Sequence, residues 1–128
     1  MSRFARPKRL RRSQLAVPGS SEKMLTKAAG LEVDHVFCDL EDAVAPAAKE
    51  EARQTIVAAL NDLDWGRTVR CVRVNDTTTQ WCYGDIISIV EGARENVDTI
   101  MLTKPLDASD ILFADKLLTQ LETTLGLK

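Results

Sequence analysis

Histidine occurs once, at His35, so neither a Ser-His-Asp triad nor a multi-histidine zinc site can be assembled within these 128 residues. Cysteine is nearly as scarce. Cys38, Cys71 and Cys82 are odd in number, show no C-x-x-C spacing and lie in or beside apolar stretches. That pattern points to reduced core thiols in a cytoplasmic protein. No apolar run approaches the ~18 residues a membrane helix needs, and no secretory h-region is visible, so no membrane association is expected. Aromatic residues make up only 5% of the chain and none stands on a basic face, so base stacking on nucleic acid is not expected either.

Hydrophobic residues make up 45% of the chain, enough for a globular core, but 128 residues are short for a complete α/β enzyme. The formal net charge of −2 hides an asymmetry. Arg3, Arg6, Lys8, Arg9, Arg11 and Arg12 are all basic, and the first twelve residues hold no acid. Of 17 basic and 19 acidic residues in all, the remainder therefore carries 11 and 19. A basic arm on an acidic body is suited to neutralising phosphates of a nucleic acid or a nucleotide-like cofactor. A short organellar presequence and a plain solvated terminus are the other readings of the same six charges.

Along the chain, apolar runs alternate with helical periodicity. Gln14 to Val17 reads as a strand stopped by Pro18-Gly19-Ser20, and Ser20 or Ser21 can N-cap a helix through Ala29. His35 to Leu40 is the central strand. Pro46 suits the first turn of a helix running to about Leu60, with Ala52, Ile56, Ala59 and Leu60 on its apolar side. Asn61–Arg67 reads as a turn. Val69 to Val74 is a third strand, Ile86, Ile87, Val90 and Ala93 mark a third helix, and Thr99 to Leu102 a fourth strand. From about Ser109 a last helix carries Ile111, Ala114, Leu117, Leu118, Leu121 and Leu125 as one stripe. Four β-α units with short connections predict right-handed crossovers and a parallel sheet, either doubly wound or part of a TIM barrel.

The stretch Val36-Phe37-Cys38-Asp39-Leu40-Glu41-Asp42 starts apolar and ends in three carboxylates within four residues. An ionised carboxylate at the end of a buried strand is costly unless paired or metal-bound, and that end of a parallel strand is where ligands bind. Capping of the following helix is the simpler alternative. Side-chain alternation puts Phe37, Asp39 and Glu41 on one face, and Cys71, Arg73 and Asn75 on the matching face of the third strand. A guanidinium beside carboxylates is either a structural ion pair or an anion and oxyanion site. Lys104, at the end of the fourth strand, adds a second cation at the same rim. The helix start at Ser20 and Ser21 can receive a phosphate on backbone N–H groups, but it lacks the spacing of a Walker loop or dinucleotide fingerprint.

Four ordered blocks carry a resemblance: Arg12 to Ser20, Asp39-Leu40-Glu41-Asp42-Ala43-Val44-Ala45-Pro46, Ala59 to Gly66, and Val72-Arg73-Val74-Asn75. From about Arg12 to Glu122 the chain resembles the malyl-CoA lyases of the citrate lyase β-subunit and HpcH/HpaI aldolase superfamily. The resemblance implies a TIM-barrel, Mg²⁺-dependent carbon–carbon lyase acting on a CoA thioester. Malyl-CoA or β-methylmalyl-CoA would be cleaved to glyoxylate and acetyl- or propionyl-CoA. It implies Arg73 as the carbonyl and enolate stabiliser, with Glu41 and Asp42 orienting Arg73 and metal-bound water. Lys27, Arg12, Ser20 and Ser21 would bind the CoA part.

Residues 1–12 would then be a basic arm and 13–128 the N-terminal half of the lyase domain, four units of a (β/α)8 barrel. The family's metal ligands would lie beyond Lys128, with none in this chain. The loop Asn75-Asp76-Thr77-Thr78-Thr79 departs from the family's N-G-L-D-T-like run, Gly84 stands where a basic residue is usual, and Thr103-Lys104-Pro105 replaces a P-K-V-like run. Open edge strands imply a homo-oligomer that is inactive as this chain alone. The alternatives are a non-catalytic CoA-binding or partner-pairing module derived from the lyase, and citryl-CoA cleavage of the citrate lyase β-subunit type.

Overall fold

The computed structural model describes residues 8–127. Arg3 and Arg6 of the basic segment lie outside them. Strand β1 (Gln14–Pro18), helix α1 (Glu22–Ala29), β2 (His35–Asp39), α2 (Lys49–Asp62), β3 (Val69–Arg73), α3 (Cys82–Ala93), β4 (Thr99–Met101) and α4 (Ala108–Leu125) follow one another. A single 3-10 turn, Pro46–Ala48, leads into α2 with Pro46 as its first residue. The 3-10 form explains why the helix that Pro46 signals only becomes α-helical at Lys49, and α2 then runs two residues past Leu60.

All four strands are parallel and ordered β1-β2-β3-β4. Helix α1 packs on α2, α2 on α3 and α3 on α4, so the helices line one face of the sheet in chain order. A doubly wound sheet would divide its helices between two faces. One-sided coverage of a sequentially ordered parallel sheet is the geometry of a TIM barrel, of which four of the eight units are present. The core lies between sheet and helices, where Val36, Cys38, Leu40, Val72 and Val74 meet Leu25, Ile56, Leu60, Ile86 and Ile89, each no more than 2% exposed. The other face of the sheet is open, carrying Gln14, Ala16, Phe37 and Arg73 at partial or full exposure.

Cys38, Cys71 and Cys82 are free and buried. Burial pushes the Cys38 thiol up to about 12 and that of Cys82 to about 11, so neither is a nucleophile at neutral pH.

The apolar stripe expected on α4 is only half realised. Ala114 is its one buried residue, while Ile111, Leu112 and Phe113 are 50%, 55% and 43% exposed. The reason is that α4 packs chiefly against α3. Among the described residues no element covers its other side.

Candidate active site

Pairing register sets the site. Pro18, Asp39, Arg73 and Met101 are consecutive partners across the four strands, forming one row at their C-terminal ends. Adjacent strands lie about 4.8 Å apart, which brings a carboxylate and a guanidinium on the same face into direct contact. Arg73 Nε donates to Asp39 Oδ1 at 2.8 Å and one terminal nitrogen donates to Oδ2 at 2.7 Å. This is a two-point pair on a fully buried carboxylate. The backbone N–H groups of Glu41 and Ala43 donate to the same two oxygens at 2.8 and 3.0 Å. Burial acts to raise the Asp39 carboxyl, but the Arg73 and backbone hydrogen bonds outweigh it and hold it below the ordinary range. The same pair raises Arg73.

Arg73 stays 25% exposed, lies 5.1 Å from the centre of the Phe37 ring, and keeps its second terminal nitrogen without a hydrogen bond among the described residues. It is an aimed cation with unused donors facing the open side of the sheet. Glu41, 5% exposed, sits between two positive charges, 3.7 Å from Arg73 and 2.6 Å from Lys104 Nζ. That short contact raises the Lys104 ammonium above its usual value. Lys104 leaves β4 in a left-handed conformation, φ 48°, and its side chain is 60% exposed.

Of the two carboxylates expected to orient Arg73, Glu41 lies within 3.7 Å of it, but the two-point contact is made by Asp39. Asp42 points to solvent, 74% exposed and 3.5 Å from Lys104. Asn75, expected on the inner face with Arg73, turns instead beneath the sheet end to Asp85 Oδ2, at 2.7 Å. The strand ends at Arg73, so alternation no longer governs two residues later.

Ser21 caps α1 by accepting from the Met24 N–H at 3.2 Å. Ser20 and Ser21 therefore stand at the same sheet end as Arg73, directly after Pro18 of the shared row. Arg12 does not. It lies before β1 and forms an ion pair with Asp34, which precedes β2, at 3.0 Å. The two are at the opposite end of the sheet, roughly 20 Å away along six residues of extended chain. Arg9 likewise pairs with Asp98 on that underside, at 2.7 Å. Arg12 is thus removed from the set that could meet a ligand at the Arg73 end, because β1 separates them. Lys27 is exposed near the C-terminal end of α1 and has no side-chain partner among the described residues. The structure does not bring it into contact with Arg73.

The residues that sequence reasoning passed over are polar ones on the helices: buried Lys49 and half-buried Arg53 on α2, and buried Asp85 on α3. Arg53 Nε donates to Asp85 Oδ1 at 2.8 Å. Their only sequence signal is a charged residue at a position that helical periodicity assigns to the apolar side. Asp85, one residue before Ile86, shows it.

A magnesium ion needs open carboxylate oxygens in near-octahedral array. Both Asp39 oxygens are already taken and Glu41 faces two cations, so this cluster does not fit as a metal ligand set. Among the described residues no three His, Cys, Asp or Glu side chains converge elsewhere.

Residues 12–127 match the HpcH/HpaI aldolase/citrate lyase family. The chain belongs to that family. It is similar to the L-malyl-CoA/β-methylmalyl-CoA lyase of Cereibacter sphaeroides, 40% identical over 122 residues, covering 95% of this chain and 38% of that protein. A (3S)-malyl-CoA thioesterase of Cereibacter sphaeroides is 38% identical over 91% of this chain and 42% of its own length. The chain therefore spans about two fifths of the curated relatives it matches. Among solved structures, Mycobacterium tuberculosis CitE in complex with magnesium, acetoacetate and coenzyme A superposes with TM-score 0.63 and 29% identity, over 82% of this chain and 38% of that one. Haloferax volcanii malate synthase shares the fold with TM-score 0.79 at 24% identity, over 91% of this chain and 38% of its own.

Proposed function

We propose that residues 13–128 are the N-terminal half of a lyase domain that cleaves a carbon–carbon bond in a CoA thioester of the malyl-CoA or β-methylmalyl-CoA type. The basic segment 1–12 would precede it. The observation that carries the reading is Arg73, locked by a buried carboxylate with free donors on the open side of the sheet. Cleavage breaks the bond between the hydroxyl-bearing carbon and the carbon next to the thioester. The hydroxyl proton leaves to a base, an oxo acid forms, and the electron pair passes into an enolate that is then protonated. Negative charge grows on the thioester oxygen, where a preorganised guanidinium is worth most. Arg73 would hold that oxygen, with Lys104 as the neighbouring cation. Ser20, Ser21 and Lys27 would serve the CoA part, and Glu41 and Asp42 would hold Lys104 at the rim.

The magnesium in the Mycobacterium tuberculosis CitE complex supports magnesium for the complete domain. Its ligands would come from later strands. Four units of eight leave β1 and β4 as edges, so we expect the chain alone to self-associate and to be inactive. The chain has no helix long and apolar enough to cross a membrane among the described residues, and we place it in the cytoplasm.

The test is release of glyoxylate from malyl-CoA with Mg²⁺, by the 128-residue chain alone and co-expressed with the C-terminal four units of the 40%-identical lyase. The chain alone should give none. The assembly should be active and lose at least about 10²-fold with Arg73→Ala. A folded, co-purifying assembly without activity, or one indifferent to Arg73→Ala, would overturn the proposal.

A further inference from the structure

Two buried donors converge on one carbonyl beside the site, and the proposed chemistry uses neither. Leu40 O accepts from Lys49 Nζ at 2.8 Å and from Asn75 Nδ2 at 2.9 Å. Lys49 Nζ also donates to Glu41 O at 2.7 Å. Lysine is almost never buried without a partner, yet Lys49 is 5% exposed and Asn75 3%. As the first residue of α2, moreover, Lys49 sets its positive charge at the positive end of the helix dipole. Two carbonyl oxygens and the face of Trp81, 5.2 Å from the ring centre, offset that placement. Asn75 is fixed in turn by Asp85, which accepts from its backbone and side chain and is gripped by Arg53.

What this network holds is a single peptide unit. The carbonyl of Leu40 and the N–H of Glu41 are its two ends. The carbonyl accepts from Lys49 and Asn75, and the N–H donates to Asp39 Oδ1 at 2.8 Å. A peptide plane is rigid, so fixing one end orients the other. Polarisation of the carbonyl by an ammonium also strengthens the donor at the far end. We infer that Lys49, with Asn75 as its counterpart, is a positioning residue: it orients the Leu40–Glu41 peptide so that Asp39 keeps both oxygens on Arg73.

The inference rests on Arg73 as the cation of the proposed site, but its test needs no turnover. In the ¹⁵N-labelled 128-residue chain, the Nε–H of Arg73 reports the Asp39 bond through its rate of hydrogen exchange. Lys49→Met should accelerate that exchange by about tenfold, the equivalent of one lost hydrogen bond. Asn75→Ala, which removes the other donor, should do the same, so the test survives if one variant does not fold. Ile89→Val, a core change remote from the peptide, should lower Tm and leave the exchange rate as it is. Folded Lys49→Met or Asn75→Ala with Arg73 exchange unchanged would overturn the inference. An inactive lyase assembly would leave it standing, because the exchange is read without substrate.

Discussion

Asp39 joins two functions that an uncharged side chain cannot combine: it neutralises Arg73 and it accepts the N–H groups of the turn that follows β2. Its depressed carboxyl gives a pH dependence with a definite sign. A carboxyl at about 3.9 in the unfolded chain and lower in the folded one adds stability that is present above that value. The stability is lost as pH falls through the folded value. Asp98, which burial raises but Arg9 and Arg70 lower further, acts in the same sense. Urea midpoints should be level from about pH 7 to 5 and fall below about pH 4. Asp39→Asn should flatten part of that fall and cost about 2 kcal/mol at neutral pH, less than a fully buried pair because Arg73 reaches water. A slope unchanged in Asp39→Asn would assign the acid sensitivity to other carboxylates. At this scale the sequence was informative about Arg73 and Glu41, whose charges interrupt apolar alternation. It was silent on Lys49, whose burial depends on where the next turn of chain lies.

The β1–α1 junction shows how an element is held at the level of backbone contact. Gly19 N donates to Asp39 O at 2.8 Å. A Cβ there would stand 2.6 Å from that oxygen and 2.4 Å from Ile56 Cδ1. The backbone oxygen cannot retreat without pulling β2, so Gly19→Ala should cost about 2–3 kcal/mol and loosen the row that carries Asp39. Chemical denaturation measures the cost, and a change below about 0.5 kcal/mol would show that the junction relaxes freely. Element types were legible from periodicity throughout, because a 3.6-residue repeat and an alternating one differ plainly. Boundaries were less so. β2 and β3 each stop one residue before the apolar run does, since Leu40 and Val74 still point into the core after the ladder has ended.

At the scale of the whole molecule, the open face and α4 dominate. Ile111, Leu112 and Phe113 lie on a helix covered from one side only, and β1 and β4 present unpaired edges. The chain should sediment as a species larger than a monomer, and Leu112→Lys with Phe113→Glu should shift it toward the monomer. A monodisperse wild-type monomer in analytical ultracentrifugation would contradict this.

The order of elements, their parallel arrangement and the two charged partners of the acidic rim, Arg73 and Lys104, can be read from the amino-acid sequence. These follow from local periodicity, short connections and side-chain alternation, which act over a few residues. It takes the folded chain to place the helices on one face, to put Asp39 rather than Asp42 on Arg73, and to set Arg12 at the far end. Those outcomes depend on strand register and helix placement, and register is set by packing between residues more than twenty positions apart.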